Sequence, residues 1–111
     1  MRLKSIFLLI GLSASVSLLA AQASAHTVAI NEAIAHTREA VAAGRSGHPS
    51  QLIHHGTEAL HSAREAQADH PNVHIKKGIH RLQEGIKFAK KRRSSSTVIM
   101  GRALQELERA P

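Results

Sequence analysis

Apolar residues that step by four and three constrain this chain's fold more than any other feature. Ile30, Ile34, Thr37 and Val41 make one stripe and predict a helix from about Val28 to Ala43. Leu52, Gly56, Ala59, Leu60 and Ala63 stripe a second segment, and Ile75, Ile79, Leu82 and Ile86 a third. Ile99, Met100, Ala103, Leu104 and Leu107 mark a fourth. No segment alternates with period two, so nothing argues for a strand. In "GRSGHP", Gly44 and Gly47 permit left-handed backbone and Pro49 suits the first turn of the next helix. "DHPN" punctuates again, with Pro71 expected to open the third helix, and "RRSSST" closes it.

A faint internal repeat supports a paired arrangement. "INEAIAHTREAV" and "IKKGIHRLQEGI" align at an offset of 45, matching Ile30 with Ile75, Ile34 with Ile79, Glu39 with Glu84 and Val41 with Ile86. Two helical hairpins joined in the middle make an all-α, up-and-down antiparallel four-helix bundle, because short loops force antiparallel neighbours. A monomer is expected. An elongated or oligomeric helical assembly is the competing architecture.

Residues 1–25 read as an address. Arg2 and Lys4 precede an apolar stretch from Ile6 to Ala20, and Ala21-Gln22-Ala23-Ser24-Ala25 offers cleavage after Ala23 or Ala25. The apolar run falls short of the roughly 20 residues a membrane-spanning helix needs. Export to the periplasm through a cleaved signal peptide follows, leaving 26–111 as one domain. Cleavage leaves 13 basic residues against 8 acidic ones. Eight of the basic residues lie between Lys76 and Arg93, facing only Glu84. With no cysteine and Phe88 as the sole mature aromatic, the small core has neither a disulfide nor bulky rings to help it.

All nine histidines lie beyond residue 25, four of them within "HPSQLIHHGTEALHSAR". At 100° per residue, His54, Glu58 and His61 fall nearly opposite the second apolar stripe, one turn apart. His48 and His55 share a line at the stripe's edge, and Glu32, His36 and Glu39 form a similar column on the first helix. Side chains three and four apart are neighbours and can converge on one ion. Imidazole suits Cu(II), Ni(II) and Zn(II), and carboxylates can complete such sites. An up-down bundle would also gather His26, Asp69, His70 and His74 at one end. Cleavage after Ala25 frees the amine of His26 to chelate with its imidazole. Cleavage after Ala23 instead places histidine third, an arrangement that favours square-planar Cu(II) or Ni(II).

"HTVAINEAIAHTREAVAAGRSGHPSQLIHHGTEALHSAR" resembles the small metal-binding protein (SmbP) family of histidine-rich periplasmic four-helix bundles. The likeness is dense from His26 to Arg64, weaker through "VHIKKGIHRLQEGIK" and faint from Ser94 onward. It implies binding of copper and other divalent metals without catalysis, with His26, His36, His48, His55 and His74 at the family's histidine positions. Ala43 and Ser62 stand where the resemblance implies histidines seven residues beyond His36 and His55. In the third helix Lys77, Arg81 and Phe88 do the same, so the metal surface is thinned and the basic helix should repel cations.

The leading function is therefore binding or buffering of divalent metals, with Cu(II) first and Ni(II) or Zn(II) as alternatives. The runner-up is an interaction module that uses the basic 76–93 face on an anionic partner or membrane surface. An enzyme is disfavoured, since the chain has no H-E-x-x-H motif, cysteine nucleophile or glycine-rich phosphate loop. Nucleic-acid binding lacks stacking aromatics.

Overall fold

A computed structural model of the chain describes residues 25–110, and within them four helices and no strand are found. The leader expected over 1–25 lies outside the described residues, apart from Ala25. Helix α1 covers 25–45, α2 runs Pro49–Asp69, α3 Val73–Lys90 and α4 Ser95–Glu108. They form the expected up-and-down four-helix bundle. α2 packs on α3 and α3 on α4, while α1 closes the ring through the pairs Glu39–His55 to α2 and Arg38–Glu108 to α4. No helix among the described residues is long and apolar enough to cross a membrane.

The apolar stripes face inward because that is where they leave water. Leu52, Ile75, Leu82, Met100 and Leu107 are the large, fully buried side chains, and alanines fill most of the remaining core. Ile34, Leu60 and Ile79 sit at its margin, half-buried against it. Thr37 occupies a core position without leaving its hydroxyl unpaired: Oγ1 donates to the Ala33 carbonyl at 2.6 Å.

The turns refine the expectation. Gly47 has φ +74° and ends α1 in a left-handed cap, with the amides of Gly47 and His48 donating to the carbonyls of Gly44 and Ala43. Gly44 is not in that conformation; it lies inside α1. A Cβ there would collide with Thr97 Oγ1 and come 2.9 Å from Leu52 Cδ1, so close packing, not backbone freedom, requires the glycine. Pro49 opens α2 as expected. Pro71 does not open α3; Asn72 caps it, its side chain accepting from the amides of His74 and Ile75. The capping amide bonds outweigh proline's preference for the first turn.

Candidate metal centre

On α1, His36 and Glu39 directly precede the buried residues Thr37 and Ala40, so both flank the core stripe. His55 has the same relation to buried Gly56 on α2. The hairpin then decides which residues meet. Glu39 and His55 each lie eight residues from Gly47, on opposite sides of the turn. Antiparallel helices set such equidistant positions side by side.

Glu39 Oε2 lies 2.8 Å from His55 Nδ1 and 3.8 Å from His36 Nδ1. The two rings stack with centroids 6.1 Å apart. One ligand atom from each of the three residues falls within 4.8 Å of the others, and among the described residues no other set of three does so. The Nδ1 atoms of His36 and His55 are shielded from solvent and make no hydrogen bond, since the close approach of Glu39 to His55 is off the bonding axis. A shielded ring nitrogen without a partner costs free energy unless something else bonds it. A shared ion bound at about 2.1 Å would hold tetrahedral donors roughly 3.4 Å apart, between the two observed nitrogen–oxygen separations. The donor set therefore fits a borderline transition metal with small side-chain adjustments.

The remaining histidines fall elsewhere. His54, Glu58 and His61 are exposed as expected but do not close on one another; His61 Nε2 pairs with Glu65 at 3.2 Å, one turn further on. The ring of His54 instead lies edge-on to His55, centroids 5.3 Å apart. His48 is the exposed residue preceding α2 and does not join His55 in a cluster of three. At the other end of the bundle His26 and His70 come together, with ring centroids 4.5 Å apart. Asp69 is not in a three-ligand group with them. His74 turns to α4, where Nδ1 lies 3.0 Å from Glu106 Oε2. This bond holds the Glu106 carboxyl below its ordinary range, helped by the charges of Lys77, Arg109 and His74 and opposed by partial burial.

Reading one helix at a time places His36 and His55 in separate columns and leaves Glu106 unremarked. The equal spacing about Gly47 is the signal that joins Glu39 to His55. For His74 and Glu106, no comparable marker fixes the register of α3 on α4.

Fold and donor set together place this chain among small helical bundles that present histidine and carboxylate to metal ions. The small metal-binding protein family model matches residues 1–110, and the chain belongs to that family. A comparison with curated proteins gives no match. Two of the positions where the resemblance implies histidine have a structural reason to lack it. Ala43 and Ser62 are 7% and 5% exposed, so an imidazole at either would have to enter the core.

Proposed function

We propose that this protein is a non-enzymatic binder and buffer of divalent transition metal ions, acting in the periplasm once its leader is removed. Cu(II) is favoured, with Ni(II) or Zn(II) as alternatives, because the donors are imidazole nitrogens and a carboxylate, with no thiolate available. The observation that carries this reading is the His36–Glu39–His55 cluster, with its two shielded and unbonded ring nitrogens. Glu39 would supply charge and an oxygen donor, and the two imidazoles would clamp the ion across the α1–α2 seam. Helix formation does not depend on these residues, since the buried stripes lie beside them. Far-UV circular dichroism of the metal-free mature chain should accordingly show dominant helix.

Equilibrium dialysis of the chain beginning at His26 against Cu(II), Ni(II) and Zn(II), beside a His36→Ala/His55→Ala variant, tests the proposal. The variant should stay helical and lose one bound ion per chain. Unchanged stoichiometry in a folded variant would remove this cluster from the account.

A further inference from the structure

The end of the bundle remote from Gly47 holds a second pair of imidazoles, and the sequence shows why they meet. Pro71 disfavours helical backbone in the residue before it, so α2 stops at Asp69 and His70 is extended, with φ −138° and ψ 93°. Two bonds fix this turn: the His70 amide donates to the Ala66 carbonyl at 3.0 Å, and the Asn72 amide to Gln67 Oε1 at 2.9 Å. His26 stands in the first turn of α1, which the antiparallel hairpin sets beside the end of α2. The two ring centroids are 4.5 Å apart, with the planes inclined at 40°.

Ring contact alone does not account for the pair. His26 Nδ1 is shielded from solvent and has no hydrogen-bond partner among the described residues, the same condition as Nδ1 of His36 and His55. A stacked ring offers that nitrogen no bond in its own plane, so its burial carries a cost that a metal ion would remove. Neighbouring groups neither complete the pair nor oppose a cation there. His74 is held by Glu106 at 3.0 Å, and Asp69 joins no group of three donors among the described residues. Neither 26–37 nor 65–75 contains a lysine or arginine.

We propose that His26 and His70 form a second metal site, one that takes Cu(II) in preference to Zn(II). This rests on the metal-binding reading above, but on none of the residues that carry it. With metal–nitrogen bonds of about 2.1 Å, imidazoles on adjacent corners of a square plane have centroids about 4.5 Å apart, against about 5.2 Å for tetrahedral neighbours. The observed spacing is the tetragonal one, characteristic of Cu(II). Two protein donors also fall short of the three or four that zinc sites supply. No carboxylate takes part, so this site lacks the charge that Glu39 brings to the cluster and should fill second.

Cu(II) is the probe, titrated into the chain beginning at His26 and into its variants. Equilibrium dialysis counts bound ions, and pulsed electron paramagnetic resonance counts the imidazoles on each. In a His36→Ala/His55→Ala background one Cu(II) should remain, with two imidazoles bound to it. Adding His70→Ala should weaken that ion at least tenfold and reduce the imidazole count to one. The bond that caps α2 comes from the backbone of residue 70, so alanine keeps it and the helices should persist. A free amine at His26 can chelate with its own imidazole, but that arrangement does not involve His70 and would be indifferent to the change. Zn(II) at concentrations that fill the site with copper should leave it empty. A wild type that binds no copper overturns both the metal reading and this site. A wild type whose only ion is lost with His36 and His55 keeps that reading and overturns the second site, as does a His70→Ala variant that holds its ion as tightly as before.

Discussion

The two hairpins solve the same folding problem with different surface chemistry. At an offset of 45, buried Ile30, Ala33, Thr37, Ala40 and Val41 of α1 correspond to buried Ile75, Gly78, Leu82, Gly85 and Ile86 of α3. The burial pattern of α2 recurs in α4 at an offset of 44, where Leu52, Gly56, Ala59 and Ala63 correspond to Ser96, Met100, Ala103 and Leu107. The carboxylate beside the seam is present in both, as Glu39 and Glu84. Its partners are exchanged. His36 becomes Arg81, which holds Glu84 at 3.3 Å, and His55 becomes Ile99, which is buried. A guanidinium has no lone pair to offer a metal and does not deprotonate, so the second hairpin holds a closed ion pair where the first holds open donors. Core repetition and metal chemistry are thus separable in this chain.

The largest expected effect breaks the comparison on its chemical side. His55→Ala removes the only α2 donor and should lower Cu(II) affinity at the cluster by at least roughly 100-fold, beyond the 10–100-fold typical of changes to residues that merely support a ligand. Glu84→Gln, at the matching place in the second hairpin, should change it less than about twofold, as distant sites act independently. Isothermal titration reads both. The pair His54→Ala/His61→Ala gives a further contrast. Those rings are exposed and do not converge, so the variant should leave the cluster's affinity nearly intact, whereas His48→Ala/His55→Ala should abolish it. Arg81→His should not transplant the site, because position 99 still presents a buried isoleucine across the seam.

A smaller effect tests the backbone side. Gly47 and Arg92 occupy equivalent turns, with φ of +74° and +55°. At both turns the last residues fold back by the same pair of amide bonds, from Gly47 and His48 in one and from Arg92 and Arg93 in the other. A side chain in this region costs roughly 1–2 kcal/mol, so Gly47→Ala should destabilise by about that amount. No atom lies within 4 Å of the added Cβ, which leaves backbone strain as the only cause. Arg92→Gly should stabilise by about 0.5–1 kcal/mol, the relief of strain less the entropy cost of glycine. For a domain of this size each kcal/mol moves the thermal midpoint by about 4–8 °C, so opposite shifts should be resolved.

Periodicity makes most of the fold legible: all four helices, the antiparallel order and the large buried side chains follow from the stripes, whereas small buried residues such as Ala33, Ala40, Gly78 and Gly85 fall between the stripe positions. What it misses are preferences of single residues that neighbours overrule. Gly44 signals a turn until Thr97 and Leu52 are seen to need its missing side chain, and Pro71 signals a helix start until Asn72 supplies the cap. The site is legible in its parts but not in its assembly. Columns on one helix report which residues share a face, whereas the cluster joins two helices, and only the register about Gly47 joins them. Arg92 is hidden for a related reason, since a left-handed arginine has no compositional mark and is found only through the repeat that sets it opposite Gly47.

The smallest effect concerns the histidine–carboxylate contact in the second hairpin. His74 bonds Glu106 on α4, and this bond is the main reason the carboxyl titrates below its ordinary value near 4.5. A carboxyl whose folded-state pKa is depressed stabilises the fold when ionised. That contribution is complete above the unfolded value and disappears as pH falls through the lower, folded value. Thermal midpoints of the wild type should therefore decline more steeply below about pH 4.5 than those of Glu106→Gln, while the difference between the two should be constant above that range. If the two acid limbs are parallel, the His74–Glu106 bond contributes nothing to stability. In that case His74 is as available to an incoming metal ion as the histidines of the first hairpin. A steeper wild-type limb instead shows that His74 is occupied in holding α3 on α4, the same division between closed pairs and open donors that separates Glu84 from Glu39.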